Sequence, residues 1–321
     1  MTAFNAHSTT DEVMAGVTLA GSTALVTGAS AGLGAETCRV LAGAGAAVIM
    51  VARDPEKLQS VRQAILAGQP DAQLDVAMLD LSDLDSVREG AAGILAGHPR
   101  IDLLINNAGV MACPLARTKQ GHELQFGTNH LGHFLLTGLL APALLAAAEA
   151  GRGVRVISLS SAGHKLGTID FDDPDYLSRE YQNWPAYGQS KTANALFAVG
   201  LDRRLAERGV RAFAVHPGMI MTDLGRHLLP EDVAMLQARA ASSSDGGTAF
   251  KSVEQGAATT VWGATTAALD GRGGLYLEDC QIAEPAAPGG DGGVESYAID
   301  PTAADRLWAL SEELVGEKFE F

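Results

Sequence analysis

The stretch Thr27-Gly28-Ala29-Ser30-Ala31-Gly32-Leu33-Gly34 directly follows a short β-branched and apolar run, Thr23–Thr27, and opens a helical pattern near 33–44. Glycines at a strand-to-helix junction allow a tight turn. They also let a pyrophosphate approach the free N–H groups of the helix N-terminus. The spacing is GxxxGxG, not GxGxxG, and a glycine-rich turn without a ligand is the competing reading. The strand–turn–helix context favours a dinucleotide.

Downstream, the same alternation repeats. Further strands are expected at Ala47–Ala52, Leu74–Leu79, Asp102–Asn106, Val154–Ser160, Arg211–His216 and Gly274–Leu277. Helical patterns lie between them near 55–67, 83–97, 120–148, 188–208 and 253–268, and Asp300-Pro301 opens a last helix over 301–315. Alternating strands and helices predict a three-layer α/β Rossmann fold, with a doubly wound parallel sheet of about seven strands and helices on both faces. Continuously apolar strands such as Ala-Val-Ile-Met-Val at 47–51 suit a sheet covered on both sides. Residues 1–18 are expected to be a flexible extension and 19–321 a single domain. Two segments break the rhythm: 162–186, expected to be a substrate loop, and 224–252, expected to be a mobile lid that includes Ser242-Ser243-Ser244-Asp245-Gly246-Gly247. Pro285 to Gly293 is Pro/Gly-rich and expected to be flexible.

Composition narrows the function classes. The 321 residues are 47% hydrophobic and 19% charged, enough apolar material for a large core. The net charge of −15, with scattered basic residues, argues against nucleic-acid binding. Three cysteines (Cys38, Cys113, Cys280) make no disulfide framework and have no metal spacing, which suits a reducing, cytoplasmic setting. No run is expected to reach a membrane span; the best, Leu135 to Ala148, holds Pro142. Met1 to Met14 does not read as a signal peptide.

Three groups of residues carry candidate chemistry. The second strand ends Val51-Ala52-Arg53-Asp54. An NAD site usually places a carboxylate there for the ribose 2′-OH, whereas Arg53 can pair with a 2′-phosphate. Asp54 is one step late and reads as a helix cap, so NADP(H) is preferred and NAD(H) stays open. Tyr187-Gly188-Gln189-Ser190-Lys191 places a phenol and an ammonium on one helix face at i, i+4. The cation, together with an oxidised nicotinamide, is expected to lower the phenol's pKa towards neutrality. Asn106-Asn107-Ala108-Gly109, Asn129, Ser160-Ser161 and Pro217-Gly218-Met219-Ile220-Met221-Thr222 all fall at C-terminal strand ends or on flanking helices, where doubly wound sheets bind ligands.

With these motifs in that order, the sequence resembles the short-chain dehydrogenases/reductases over about residues 19–280. Within them it is similar to the retinol-dehydrogenase-like, WW-domain-oxidoreductase-like branch. Val51-Ala52-Arg53-Asp54, Asn129-His130-Leu131-Gly132-His133-Phe134, Phe171-Asp172-Asp173 and Gly274-Leu275-Tyr276-Leu277-Glu278-Asp279-Cys280 carry the branch likeness. The alanine-rich acidic composition suggests a soluble bacterial member. The resemblance implies that Tyr187 is the general acid in carbonyl reduction and the base in alcohol oxidation, helped by Lys191. It also implies that Ser161, or Ser160 as the fallback, holds the substrate oxygen, and that Asn129 helps hold a water reaching Lys191. Gly28, Ser30, Gly32, Leu33 and Gly34 would form the phosphate turn, Asp80 and Leu81 flank the adenine, and Asn107, Ala108 and Gly109 line a ribose. Lys191 would hold the nicotinamide ribose, and Pro217, Gly218, Ile220 and Thr222 would meet the nicotinamide end.

The expected activity is hydride transfer between a nicotinamide and a small-molecule carbonyl or alcohol (CH–OH group) substrate. Phe171 and Trp184 are candidate walls of an apolar or aromatic substrate pocket. A retinoid or steroid dehydrogenase, an epimerase, or a non-catalytic NADPH-binding redox regulator are the alternatives. A homo-oligomer, dimer or tetramer, is the default for such enzymes. No metal is expected: His130 and His133 lack a third ligand, and Asp172, Asp173 and Asp175 are interrupted by Pro174.

Overall fold

The computed structural model describes residues 4–242, 250–288, 290 and 292–321. The part of the Ser242–Gly247 stretch beyond Ser242, and residues 289 and 291 of the Pro285–Gly293 segment, lie outside the described residues.

The chain runs α1 (Thr10–Met14), β1 (Thr23–Thr27), α2 (Gly32–Gly43), β2 (Ala47–Ala52), α3 (Pro55–Gly68), β3 (Leu74–Met78), α4 (Leu84–Gly97) and β4 (Leu103–Asn106). It continues through α5 (Leu124–Phe126), a π turn (Gly127–Leu131), α6 (Gly132–Glu149), β5 (Val154–Leu159), α7 (Asn183–Leu205) and β6 (Val210–His216). It ends with α8 (Pro230–Ser242), α9 (Val253–Thr265), β7 (Leu275–Glu278), β8 (Gln281–Ile282) and α10 (Pro301–Val315). The sheet order is β3-β2-β1-β4-β5-β6-β7-β8. Order reverses between β1 and β4, which opens a crevice at the carboxyl ends of these strands.

The strand count is eight rather than about seven. β8 pairs antiparallel to β7 across Asp279 and Cys280, whose φ angles of 51° and 56° are the left-handed pair of a tight hairpin turn. Neither residue is a glycine, so nothing in the local sequence announces this turn.

Two apolar layers cover the sheet. On one face α4, α6, α7 and α10 bury Leu104, Phe134, Leu140, Phe197, Leu201 and Trp308. On the other α2, α3, α9 and α1 bury Leu41, Met50, Leu58 and Val261. Helix α10 starts at its Asp300 cap and stops at Gly316, whose φ is 69°. Trp308 lies 4.9 Å from Phe134 and stacks on Phe197 at 6.0 Å. Phe319 covers Gly138, where a Cβ would approach its ring to 2.3 Å.

Three expectations need correction. The 1–18 extension is ordered over its described residues. Thr9 and Glu12 form a reciprocal capping box for α1, and Val13 and Met14 are buried against α2 and α9. The lid segment 224–252 is not a bare loop, because α8 occupies its centre, with acidic Glu231 and Asp232 in its first turn. The helical run Leu124–Glu149 is, by length and composition, apolar enough to cross a membrane. In the fold 72% of its most apolar window is buried, as the central helix of one layer.

Candidate active site

One cleft of about 550 Å³ opens along the carboxyl ends of β1, β2 and β4. Gly28, Ser30, Gly32, Leu33, Gly34, Arg53, Asp80, Leu81, Asn107, Ala108, Gly109 and Thr222 all line it. Pro217, Gly218 and Ile220 do not. Ile220 instead packs with Leu33 against Gly256, where a Cβ would be 2.5 Å from Ile220 Cγ1. This loop therefore supports the glycine turn from behind, and only its end, Thr222, reaches the cleft.

The turn is shaped as a cradle. Gly28 has a φ of 69°, and a Cβ there would sit 2.9 Å from Ala108 Cα and from Asn107 Nδ2. A Cβ on Gly34 would lie 2.2 Å from the Gly28 carbonyl oxygen. Helices α1, α3, α4, α9 and α10 begin with a side-chain cap, but the N-cap of α2, Ala31, offers none. The first N–H groups of α2 are thus left to an anion. The buried Thr128 hydroxyl also borders the cleft and has no partner among the described residues. A dinucleotide fits these features.

The second-strand end behaves as its charges require. Asp54 Oδ1 accepts from Glu56 N and Lys57 N, both at 3.1 Å, so this carboxylate is used as a cap. Arg53 lines the cleft and forms no ion pair among the described residues. Lys57 and Arg226 line it too, two cations that the sequence did not single out. Lys57 could have been found as the helix residue one turn beyond the Asp54 cap. Arg226 carries no such signal, because it enters through the 3₁₀ turn Asp223–His227.

Tyr187 and Lys191 share one face of α7 and both are buried. Lys191 Nζ donates to the Leu159 carbonyl at 2.9 Å and stands 5.6 Å from the Tyr187 ring centre. Burial pushes Lys191 down to about 8. In the chain alone, burial pushes Tyr187 up to about 12, and the Ser161 hydroxyl provides the opposing pull. A Cβ on Gly163 would lie 2.7 Å from Tyr187 Cε1 and 3.3 Å from Ser161 Oγ, so only glycine fits beside this pair.

The two serines separate. Ser160 Oγ is buried and donates to the Lys191 carbonyl at 2.8 Å, whereas Ser161 caps the 3₁₀ turn Ala162–Leu166 and faces Tyr187. Asn129 lies in the π turn. Its Nδ2 donates to the Val110 carbonyl and to Ser190 Oγ, both at 2.9 Å, and its Oδ1 accepts from Val110 N at 2.8 Å. Both of its N–H donors and one position of its carbonyl oxygen are engaged in fixing the site's walls.

Trp184 lines a second cavity of about 620 Å³ with Ala112, Pro114, Tyr181, His227 and Leu229, and its ring meets Tyr187 edge-on at 6.1 Å. Its indole N–H donates to Asp232 of α8 at 2.7 Å, tying the lid segment to this wall. Phe171 is not part of this wall. It packs on the α10 side of the core under Arg306, 4.1 Å from the guanidinium. Among the described residues no group of three His, Cys, Asp or Glu is placed to hold a metal ion.

Comparison with known proteins places the chain in a family. Residues 22–171 match the family model for short chain dehydrogenase. The chain is 41% identical to human retinol dehydrogenase 13 over 93% of its own length and 86% of the relative's. A crystal structure of an uncharacterized protein from Mycobacterium paratuberculosis matches with a TM-score of 0.74 at 36% identity, covering 100% of both chains. The NADP active-site complex of Pseudomonas aeruginosa RhlG matches with a TM-score of 0.65 at 27% identity, over 81% of this chain and 95% of that one. The chain belongs to the short-chain dehydrogenases/reductases, as a retinol-dehydrogenase-like member of that oxidoreductase family.

Proposed function

We propose that the protein is an NADP(H)-dependent carbonyl reductase and alcohol dehydrogenase acting on apolar or aromatic substrates. The observation that carries this reading is the phenol of Tyr187, buried against Ser161 and beside the Trp184 cavity, with Lys191 one helical turn on. A bound nicotinamide dinucleotide supplies the hydride; the chain supplies orientation and the proton. Burial raises the pKa of the Tyr187 phenol further above neutrality, and the protonated phenol is the form that donates a proton to a carbonyl oxygen. Ser161 Oγ is the second hydrogen-bonding group for that oxygen and stabilises the charge that develops on it. Lys191, held on the Leu159 carbonyl, places a positive charge near the phenol that stabilises the phenolate left once its proton has gone to the product oxygen.

Arg53 and Lys57 support NADP(H), because both are cationic at the end of the cleft where β2 stops and the nearby carboxylate of Asp54 is already used. The NADP held by RhlG is in keeping with this preference. The test is NADPH consumption against a panel of aromatic ketones, aldehydes and quinones, run beside NADP⁺ with the corresponding alcohols. Turnover with NADPH that disappears in Tyr187→Phe supports the reading. Equal turnover in that variant, or none with any carbonyl or alcohol, removes it.

A further inference from the structure

Beneath the site, a buried ring links the two halves of the crevice. His133 of α6 is 2% exposed. Its Nδ1 is 2.9 Å from the Asn129 main-chain carbonyl in the π turn, and its Nε2 is 2.8 Å from Thr27 Oγ1 at the end of β1. The Thr27 hydroxyl accepts from Asn107 N at 2.9 Å and Ala108 N at 3.0 Å, so both its lone pairs are used. Its single proton then has two destinations: the Ile105 carbonyl at 3.4 Å or His133 Nε2 at 2.8 Å. The shorter contact wins, so Nε2 accepts and the ring proton sits on Nδ1, donating to Asn129. The Asn107 N–H is also 3.0 Å from the Ile105 carbonyl, but however it is shared, the Asn129 carbonyl can only accept, so the proton on Nδ1 is fixed.

Burial and the nearby charge of Lys191 both push the ring down to about 4, so His133 stays neutral across the working range. A carboxamide could not span both contacts with the same rigidity, because the two ring nitrogens are fixed on opposite sides of one plane. Thr27 is in turn the residue on which the cofactor turn and the Asn107–Gly109 segment meet: Asn107 Nδ2 donates to its carbonyl at 2.7 Å. Asn129 reaches the catalytic helix through Ser190. One ring therefore connects the strand end that carries the cofactor cradle to the turn that carries Asn129.

We propose that His133 is a positioning residue which, as the neutral Nδ1–H tautomer, holds the Asn129 carbonyl and the Thr27 hydroxyl in register, so that the cofactor cradle and the Tyr187–Lys191 face are aligned together. This rests on the oxidoreductase reading above. Its loss should weaken both cofactor binding and turnover, because both sides of the link relax.

The experiment compares wild type with His133→Phe, His133→Asn, Thr27→Val and the double variant Thr27→Val/His133→Phe. It measures NADPH Kd by fluorescence, kcat, and the ¹⁵N tautomer state of His133 in the wild-type protein. His133→Phe is expected to raise Kd and lower kcat by about tenfold each, within the range of coupled buried contacts. Asn supplies a side-chain N–H near the Nδ1 position, so His133→Asn should restore most of kcat but not Kd. Thr27→Val should reproduce the Kd effect, and the double variant should be no worse than His133→Phe, because the contacts act in series. A folded His133→Phe with wild-type Kd and kcat and only a lower Tm would overturn the proposal. So would additive losses in the double variant, or a ring protonated at Nε2 in the wild-type spectrum, which is readable even where a variant fails to fold. Wild-type protein that binds no NADPH would instead remove the oxidoreductase reading and leave the tautomer assignment standing.

Discussion

Replacing Lys191 by Met should make the protein more stable at neutral pH while abolishing its chemistry. The ammonium is buried, and its pKa falls from 10.5 to about 8 because burial penalises the charged form. A fall of 10.5 − 8 = 2.5 units, at about 1.36 kcal/mol per unit, is a cost of about 3 kcal/mol carried by the folded state at pH 7. Methionine keeps the unbranched stem and drops the charge. It also loses the bond to the Leu159 carbonyl, worth about 1 kcal/mol, so the net gain is about 2 kcal/mol. The sign then changes with pH. Between pH 8 and 10.5 the unfolded chain holds the Lys191 proton and the folded chain has released it, so wild-type stability rises with pH through this window. The variant lacks that rise, and the order of stabilities reverses before pH 10.5. Urea unfolding of both proteins at pH 7 and at steps up to pH 10, followed by tryptophan fluorescence, reads the difference. A Lys191→Met protein that is less stable at pH 7, or a difference that stays flat from pH 8 upward, would show that the buried charge is not under strain.

The other substitutions probe separate parts of the site. Tyr187→Phe should bind NADPH as wild type does and lose about 10²-fold or more in kcat, measured by stopped turnover with saturating cofactor. Arg53→Asp should lower the NADPH-over-NADH preference about ten- to hundredfold, the worth of a charge-assisted contact to phosphate; an unchanged ratio of kcat/KM values removes the 2′-phosphate role. Trp184→Ala should raise KM for a bulky aromatic ketone about tenfold without touching cofactor affinity, whereas Phe171→Ala, on the far side of the core, should change neither. Trp308→Ala should cost about 3–5 kcal/mol in unfolding free energy, because it empties the space between Phe134 and Phe197. Its kcat should match wild type at a temperature where both are folded.

Much of this was legible because strands and helices announce themselves by period and caps. β1 and β2 lie at their expected residues, Thr23–Thr27 and Ala47–Ala52, and Asp54 and Asp300 cap the helices they were read to cap. The glycine cradle, Arg53 and the Tyr187–Lys191 face follow from those positions. What escaped depends on distant contacts. Helix α1 is a single capped turn whose stability comes from Val13 and Met14 burying against α2 and α9, which no local period reveals. Phe171 was grouped with Trp184 by proximity in the chain, yet the loop between them turns it towards Arg306. The surroundings of the phenol were only partly legible for a related reason. The spacing of Tyr187 and Lys191 shows the neighbouring cation, but not how deeply both groups are buried.

The histidines show the same divide between chemistry and support. His216 Nδ1 accepts from Ala162 N at 3.2 Å and Gly218 N at 3.3 Å, joining the Ser161 turn to the loop after β6. His164 Nε2 accepts from Glu295 N at 3.1 Å, so its Nδ1 carries the proton and donates to the Ser161 carbonyl at 2.7 Å. With His133, three rings grip the main chain around Asn129, Ser161 and Gly218, and burial lowers the pKa of each. A neutral imidazole offers one donor and one acceptor on a rigid plane, so it can join two backbone segments without adding charge beside Lys191. A protonated ring at any of these positions would lose its acceptor and add a second cation to a site that already holds one under strain. The catalytic residues could be read from their spacing because chemistry demands particular side chains. The rings that hold them could not, because what they bind is mostly backbone, with the Thr27 hydroxyl on His133 an exception, and backbone leaves no trace in the sequence.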